Sequence, residues 1–327
     1  MSSSNIEQDF LRQVLAEGLR PDQRSFNDAR EIEFNFGAEY GNVEVKLGKT
    51  RLVVQISASV KAPRSTAPFE GLFHITTDLS SMAHPKFENG TSNGVEKIMV
   101  SRMIEKSIIR SNALDLESLC IVAGKRCWMI RADVHYLNYD GGLVDASCAG
   151  VIAALLHFRL PDTSIDGENV IIHDISERPP VALSVLHIPI SSTWVYISLS
   201  KDENDADNVG DDDMNDSDND IDSNDKNLEY GIRKIAVLDP TALEQEISHG
   251  EIIITANKNR EICQITKAGG KLLSSSAVYN YSEQAFDRAL KITDKIQREL
   301  KKDFEQRNKG NLGTDLSKNA LNERPVE

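Results

Sequence analysis

Closely spaced cysteines are missing from this sequence. The chain has 327 residues and 4 cysteines, and no two of them form the CxxC spacing of common zinc and redox sites. Because every cysteine lies in an apolar run, we expect buried free thiols in a reducing compartment at Cys120, Cys127, Cys148 and Cys263. The histidines do not cluster at metal-ligand spacing either. The sequence therefore predicts neither a disulfide scaffold nor a metal site.

Long apolar stretches are also missing. The longest one, residues 148–158, is far shorter than the roughly 20 residues that a helix needs to cross a bilayer. The first residues, MSSSNIEQDFLRQ, are polar and lack the apolar core of a secretory signal. We therefore expect a soluble protein of the cytosol or nucleus, with no membrane partner.

Basic residues are absent from one segment. Residues 202–225 contain eleven Asp and one Glu but no Lys or Arg, and without them the formal net charge of −14 falls to about −2. Because this acidic insert has almost no apolar side chains, we predict that it is disordered; the alternative is an acidic docking segment. A calcium-binding loop is excluded, since the glycine and the late glutamate of that loop are missing.

Familiar catalytic and nucleotide-binding motifs give no convincing match. The chain contains no GxGxxG, and its GxSxG match, GTSNG at residues 90–94, lies in the predicted loop of residues 84–94 and not directly after a strand, as a nucleophile elbow requires. The segment LGKT, residues 47–50, resembles the end of a Walker A loop, but Val43 stands where that loop needs its first glycine. A hairpin turn at Gly48 and Lys49 explains the segment, and no cofactor site is predicted.

What the sequence does contain is a pattern of strand-like segments in two blocks, each block ending in a helix. This pattern predicts an α+β fold with two similar halves, at about residues 25–160 and 165–305. We assign residues 1–201 and 226–309 to one domain, and residues 310–327 to a flexible C-terminal tail.

Two predicted helices carry most of the helical signal. The first covers residues 95–111, and its spacing predicts an inward apolar face formed by Ile98, Met99, Met103, Ile104 and Ile108. The second runs from about Ser275 to Asn308, with Val278, Ala285, Phe286, Ala289, Ile296 and Leu300 inward.

The opposite face of the first helix is basic. Arg102, Lys106 and Arg110 recur every four residues, and Lys97 lies one turn earlier. Cations on one helix face can follow a phosphate backbone, and Arg64 in a nearby loop could extend the patch. The alternative is an ordinary solvated helix face.

The segment NYDGGLVDAS, residues 138–147, predicts a strand, a double-glycine turn and a helix. Gly141 and Gly142 would place the helix N-terminus, with its free N–H groups, where an anion could bind. However, the next residues are Leu143, Val144 and Asp145, so no cation is available and a carboxylate is present. We interpret Asp145 as an N-cap or first-turn acid that satisfies those N–H groups itself.

Several segments of the chain resemble the RNase PH family: RPDQRSFNDAR, PFEGLFHITTDLS, FENG, SLCIVAGKRCWMIRADVHYLNYDGGLVDAS and KAGG. The resemblance covers about residues 5–300 without the acidic insert. One departure is Gln23, where the family usually has the Gly of a DGR segment. The resemblance implies a βαβα fold related to the second domain of ribosomal protein S5.

Active members of that family are phosphorolytic exoribonucleases. They hold phosphate with a Ser or Thr followed by Arg after the glycine turn. They also carry acidic residues, one of them on a later strand, that serve a metal ion and the leaving group. Here the first position holds Leu143, and only Glu251 remains on the later strand. The resemblance therefore implies a degenerate phosphate site at Gly141, Gly142 and Asp145, and no catalytic residues. The alternative, an active phosphate-dependent 3′-to-5′ exoribonuclease, would need an arginine at position 143 or 144.

The resemblance also implies a biological setting. Within the family the chain is similar to non-catalytic ring subunits of the eukaryotic RNA exosome, which helps process and degrade RNA in the nucleus, nucleolus and cytoplasm. The implied partners are RNA, other RNase PH-type subunits in a hexameric ring, S1/KH cap subunits and a hydrolytic exoribonuclease. In such a ring, the candidate RNA-binding residues are Arg64, Lys97, Arg102, Lys106 and Arg110.

Overall fold

The computed structural model describes residues 4–87, 91–166, 169–174, 177–198, 228–229, 232–270 and 273–322. The acidic insert, residues 202–225, lies outside these residues. The helices are α1 Asn5–Ala16, α2 Thr91–Ile109, α3 Leu143–His157, α4 Ala242–Glu246 and α5 Ser275–Asn322. The strands are β1 Ile32–Phe36, β2 Asn42–Leu47, β3 Thr50–Lys61, β4 Leu72–Asp78, β5 Cys120–Val122, β6 Arg126–Asn138, β7 Arg159–Leu160, β8 Thr163–Asp166, β9 Asn169–Ile172, β10 Val181–Ala182, β11 Ile190–Ser198, β12 Leu228–Glu229, β13 Ile232–Leu238, β14 Gly250–Ala256 and β15 Ile262–Gly269.

The first sheet contains the strands of the first half. Its order is β1-β2-β3-β6-β4, with β5 paired to β6. The predicted hairpin between β2 and β3 is confirmed, and Gly48 in its turn has φ +57°, a conformation that glycine adopts without strain. Strands β4 and β6 are parallel. A parallel pair needs a crossover connection, and α2 lies within it.

The second sheet is antiparallel throughout, in the order β12-β13-β11-β14-β15. Helix α5 packs on β11 and β14, while α3 contacts β2 and β3 of the first sheet as well as β11 of the second. One hydrophobic cluster consequently contains side chains of both halves, including Val54 and Ile130 from the first sheet and Trp194 and Ile254 from the second. The α3 helix lies at the junction and is buried on nearly all sides, mostly through small and aliphatic side chains, with Asp145 and His157 buried among them.

The predicted inward face of α2 is only partly correct. Ile104 and Ile108 are fully buried, but Ile98 is 53% exposed and Met99 is 45% exposed. The correction has a simple cause, because β4 and β15 contact α2 and leave part of its surface uncovered. Helical periodicity identifies an apolar stripe but does not say how much of it a neighbour covers.

The last helix differs from the prediction at its C-terminal end. Helix α5 continues to Asn322, past the predicted end at Asn308, so residues 310–322 of the predicted flexible tail are helical. The helix continues through the glycines at positions 310 and 313, because extending an existing helix requires no new nucleation. Residues 323–327 lie outside the described part of the chain.

Helix α1 packs against the second sheet rather than the first. Its Leu11 and Leu15 are buried with Val195, Ile197 and Val237. Among the described residues, no helix combines the length and the apolarity needed to cross a membrane.

Candidate functional site

The double-glycine turn is confirmed, and its geometry explains both glycines without a ligand. Gly141 and Gly142 have φ +77° and +66°, and Gly142 is the N-cap of α3. A Cβ on Gly141 would overlap the Pro240 carbonyl oxygen and approach Thr241 C at 2.8 Å. A Cβ on Gly142 would lie 2.9 Å from Arg30 Nη2. The turn is therefore packed tightly against the segment that connects β13 with α4.

Residues of the first half of the chain hold this turn in place by hydrogen bonds. The buried Thr50 hydroxyl donates to the Gly141 carbonyl oxygen at 2.8 Å and accepts from the Asp140 N–H at 3.0 Å. Arg30 donates to the Asp140 carbonyl oxygen and to both oxygens of Asp239, at 2.7 and 3.0 Å. The threonine of the LGKT segment therefore supports a glycine turn and not a nucleotide.

Asp145 has a different role from the one predicted. It stands in the first turn of α3, but its carboxylate accepts hydrogen bonds from the Thr193 N–H at 3.1 Å and the Thr193 hydroxyl at 2.6 Å. Arg288 of α5 donates to the same carboxylate at 2.7 Å. Burial raises the pKa of the Asp145 carboxyl, and the charge of Arg288 opposes that shift. The interpretation of Asp145 as the acid that caps its own helix is wrong, because the carboxylate joins α3 to β11 and α5.

A cavity of about 900 Å³ opens beside the glycine turn. Its polar rim contains four carboxylates and one lysine: Glu7, Glu96, Glu246, Glu251 and Lys86. Apolar side chains form its floor: Met99, Met103, Leu143, Val144, Leu243 and Ile253. We call this cavity the acidic groove. Lys86, the one lysine of its lining among the described residues, lies 3.2 Å from Glu96 and is already paired.

The acidic groove does not fit the metal ion that the resemblance implies for active relatives. Its carboxylates do not converge, and the described part of the chain contains no group of three or more His, Cys, Asp or Glu residues that could hold a metal. Glu251 is the remaining acid of the later strand. Burial raises its pKa, and it accepts a hydrogen bond from Gln245 at 3.5 Å. One carboxylate of raised pKa is a poor ligand for a divalent cation.

The basic face of α2 is exposed, as the spacing indicates. Arg102, Lys106 and Arg110 all lie at the surface. Within the described ranges, none of these three side chains forms an ion pair or a hydrogen bond. Arg64 and Ile109 line the same small surface cavity, so Arg64 lies near the C-terminal end of α2. The structure therefore places Arg64 close to the end of α2 that carries Arg110.

Lys97 is arranged differently. Its ammonium lies 3.0 Å from the Asp78 carboxylate on β4, and its carbonyl oxygen accepts from the Thr77 hydroxyl. The residue thus ties α2 to the first sheet, and a phosphate would have to compete with Asp78. Among the five candidate RNA-binding residues, Lys97 is the least available.

A model of the 3′ exoribonuclease family RNase PH matches two regions of the chain. Its first domain matches residues 28–161 and its second domain matches residues 232–293. The chain belongs to the RNase PH family. It is 42% identical to exosome complex component RRP45 of Saccharomyces cerevisiae over 94% of this chain and 93% of that protein. It is 40% identical to the Schizosaccharomyces pombe rrp45 over 96% of both chains, and 33% identical to the Homo sapiens RRP45 over 94% of this chain and 62% of that protein.

Solved RNase PH-type structures share the fold. A chain of an Archaeoglobus fulgidus exosome with RNA bound to the active site superposes with a TM-score of 0.68, at 24% identity, over 89% of this chain and 98% of that chain. A chain of an archaeal exosome core superposes with a TM-score of 0.65 over 90% of this chain. The predicted α+β fold of the RNase PH type is thereby confirmed.

The first segment that carries the family resemblance has a structural role. The segment RPDQRSFNDAR contains Arg20, whose fully buried guanidinium donates to both oxygens of Glu244 at 2.9 and 2.7 Å. Gln23, at the position of the family glycine, has φ +62°, so the turn keeps the glycine-type conformation without the glycine. Local sequence pattern does not identify the partner of Arg20, because Glu244 lies 224 positions away.

Proposed function

We propose that this RNase PH protein is a non-catalytic ring subunit of the RNA exosome that helps form the channel through which RNA passes. The relatives that match almost the whole chain at 40% identity or more are named exosome complex components. Within such a ring, this chain would form part of the channel that serves 3′-to-5′ RNA processing and degradation.

The observation that carries the non-catalytic part is the chemistry of the glycine turn. Phosphorolysis brings an anionic phosphate to an anionic diester, so the phosphate site needs cationic help. Here the positions after the turn hold Leu143 and Val144, and the carboxylate that follows them, Asp145, is engaged by Arg288. The adjoining acidic groove carries four carboxylates, and the one lysine among its described lining residues, Lys86, is paired with Glu96. This environment repels both phosphate and RNA.

The exposed basic face supports the RNA-contact part of the proposal. Arg102, Lys106 and Arg110 form one stripe without carboxylate partners in the described residues, and Arg64 lies near its end. A stripe of unpaired cations suits the sugar–phosphate backbone of a single strand, which offers charge at regular intervals and requires no base reading. Lys97 would contribute less, because Asp78 already neutralises it.

The proposed partners are RNA, other RNase PH-type subunits in a hexameric ring, S1/KH cap subunits and a hydrolytic exoribonuclease that supplies the cleavage. The proposed locations are the nucleus, the nucleolus and the cytoplasm. They follow from the family likeness and from the names of the relatives.

The proposal is tested first by activity. The purified chain is incubated with 5′-labelled RNA, magnesium and phosphate, alongside a phosphorolytic RNase PH protein as a positive control. We expect no release of nucleoside diphosphates. Phosphate-dependent release that a Glu251→Ala variant abolishes would establish the alternative, an active exoribonuclease.

Assembly is tested separately. Co-expression with RNase PH-type subunits that carry the phosphate-binding arginine should give a stable one-to-one complex, measured by light scattering after size exclusion. That complex should then enter a six-membered ring when the remaining subunits are added. A chain that stays monomeric with every such subunit would remove the ring assignment.

A further inference from the structure

The negative charge of the acidic groove has no role in the ring function proposed above. Four carboxylates face one ammonium, and that ammonium lies 3.2 Å from Glu96. Within the described part of the chain, the side-chain donor to Glu251 is the Gln245 amide, at the long distance of 3.5 Å. Burial raises the pKa of Glu251, so its carboxylate would gain from a cation at hydrogen-bond distance. The groove therefore favours a positively charged occupant.

The floor of the groove is apolar and partly open to solvent. Met99 of α2 is 45% exposed and Leu243 of α4 is 49% exposed, although the spacing of α2 predicts Met99 on the inward face. Val144, at the former phosphate position, and Ile253 of β14 continue this apolar lining. Methionine side chains adapt their shape to different ligands, so Met99 and Met103 suit an apolar side chain of a partner. An occupant consequently needs an apolar group beside its positive charge.

The volume of the groove limits the class of ligand further. About 900 Å³ is at the upper end of the range of small-molecule sites, and far exceeds the space that a single ammonium ion would fill. It accommodates several consecutive side chains of a peptide. RNA is disfavoured by charge, because carboxylates outnumber ammonium groups among the described residues that line the groove.

We propose that the acidic groove is a docking site for a short basic and apolar peptide segment of a partner protein. One or two Lys or Arg side chains of that segment would pair with Glu246 and Glu251, and a bulky aliphatic side chain would lie on Met99 and Leu243. The groove beside the degenerate phosphate site thus binds a protein ligand of opposite charge. The basic face of α2 borders this groove, because Arg102 and Lys106 lie three residues after Met99 and Met103 on the same helix, although neither cation lines the cavity.

The test uses the full-length chain and two fluorescent peptides of twelve residues. One alternates lysine with leucine, and the other alternates lysine with serine, so both carry the same charge. Anisotropy should give at least tenfold tighter binding for the lysine–leucine peptide. A Glu246→Gln/Glu251→Gln variant should weaken that binding about tenfold. A matched Glu33→Gln/Glu39→Gln variant, which removes two exposed carboxylates from the first half, should change it less than twofold.

The site is located by methyl NMR. The chain has 6 methionines, and ¹³C-methyl labelling resolves them separately. The lysine–leucine peptide should shift the signals of Met99 and Met103 and leave that of Met129 unchanged. Met99→Glu alters an exposed side chain and should keep the thermal midpoint while abolishing the Met103 shift.

Three outcomes would overturn the proposal. Equal affinity for the two peptides would show that net charge alone drives binding. Unchanged Met99 and Met103 signals at saturating lysine–leucine peptide would place binding elsewhere. Shifts of the same signals by oligoadenylate RNA would mean that the groove binds nucleic acid and not a basic peptide.

Discussion

Arg288 on the last helix donates a hydrogen bond to Asp145 on the glycine-turn helix at 2.7 Å, with both side chains almost fully buried. The pair connects elements 143 positions apart in the chain, and Thr193 adds two further hydrogen bonds to the same carboxylate. Asp145 stands near the expected phosphate position, and its hydrogen bonds connect the two halves of the chain.

Breaking this pair should be costly because it leaves a buried charge without its partner. We expect Asp145→Asn and Arg288→Gln each to lower the free energy of unfolding by about 3 to 5 kcal/mol, measured by urea titration. The double variant should cost clearly less than the sum of the two, since neither charge is then left alone. Glu299→Gln, which removes an exposed pair with Lys302 on the same helix, serves as the control and should cost under about 1 kcal/mol. Additive losses in the double variant would argue against direct coupling.

The basic face of α2 is tested in the reconstituted ring. Changing Arg102, Lys106 and Arg110 to Glu should weaken single-strand RNA binding and reduce the slope of log affinity against log salt by about 2, at roughly 0.7 for each lost phosphate contact. A control that reverses three exposed lysines elsewhere, Lys258, Lys291 and Lys301, changes the net charge equally. An identical effect of both triple variants would show that total charge, and not this face, controls RNA binding.

Gly141 in the glycine turn and Gly124 outside it allow a matched pair of substitutions. Gly141 and Gly124 have similar backbone angles, φ +77° and +70°, but an added Cβ at Gly124 meets no atom within 4 Å. Gly124→Ala should therefore cost only the backbone strain, about 1 to 2 kcal/mol. Gly141→Ala should cost about 1 to 3 kcal/mol more, because its Cβ would overlap Pro240. Equal losses in chemical denaturation would show that the turn can move away from the α4 segment.

Acid stability should depend on Asp239. Burial raises the pKa of its carboxyl, but hydrogen bonds from Arg30 and the charge of Arg288 outweigh burial and lower the pKa from the ordinary 3.8 to about 2. A lowered folded-state pKa stabilises the protein above about pH 4, and the contribution disappears as the pH falls from about 4 to 2. At pH 7, the free energy of unfolding of the Asp239→Asn variant should therefore be about 2 kcal/mol lower than that of the unchanged protein. This difference should shrink below pH 4. Urea titrations from pH 7 to pH 2.5 measure the free energy of unfolding of both proteins. A difference that grows toward low pH would contradict the lowered pKa of Asp239.

The acidic insert should be dispensable for folding. It lies between β11 and β13, which pair directly, with Ser198 opposite Lys234, so the ends that it connects are already close together. Replacing residues 203–225 by a short Gly-Ser linker changes the closure entropy of this connection only slightly, and the thermal midpoint should move by less than about 2 °C. A midpoint lowered by ten degrees or more would assign the insert a structural role.

The sequence by itself determined the local elements and the family. Alternating apolar residues and the glycine at position 48 are sufficient to predict the β2–β3 hairpin, because side-chain direction in a strand and the turn conformation depend on near neighbours. The same holds for the existence of α2 and for the turn at Gly141 and Gly142. The long run through residues 119–148 likewise identified the RNase PH family before any contact was known.

Tertiary structure alone decided what individual side chains do. The partners of Asp145 lie 48 and 143 positions away, so the first-turn acid could not be recognised as the residue that joins α3 to the second half. Met99 belongs to the apolar stripe of its helix, yet it is 45% exposed and lines the acidic groove, because the described elements leave that turn partly uncovered. Local pattern determines which face of a helix is apolar, whereas the packing of distant segments determines which part of that face is buried.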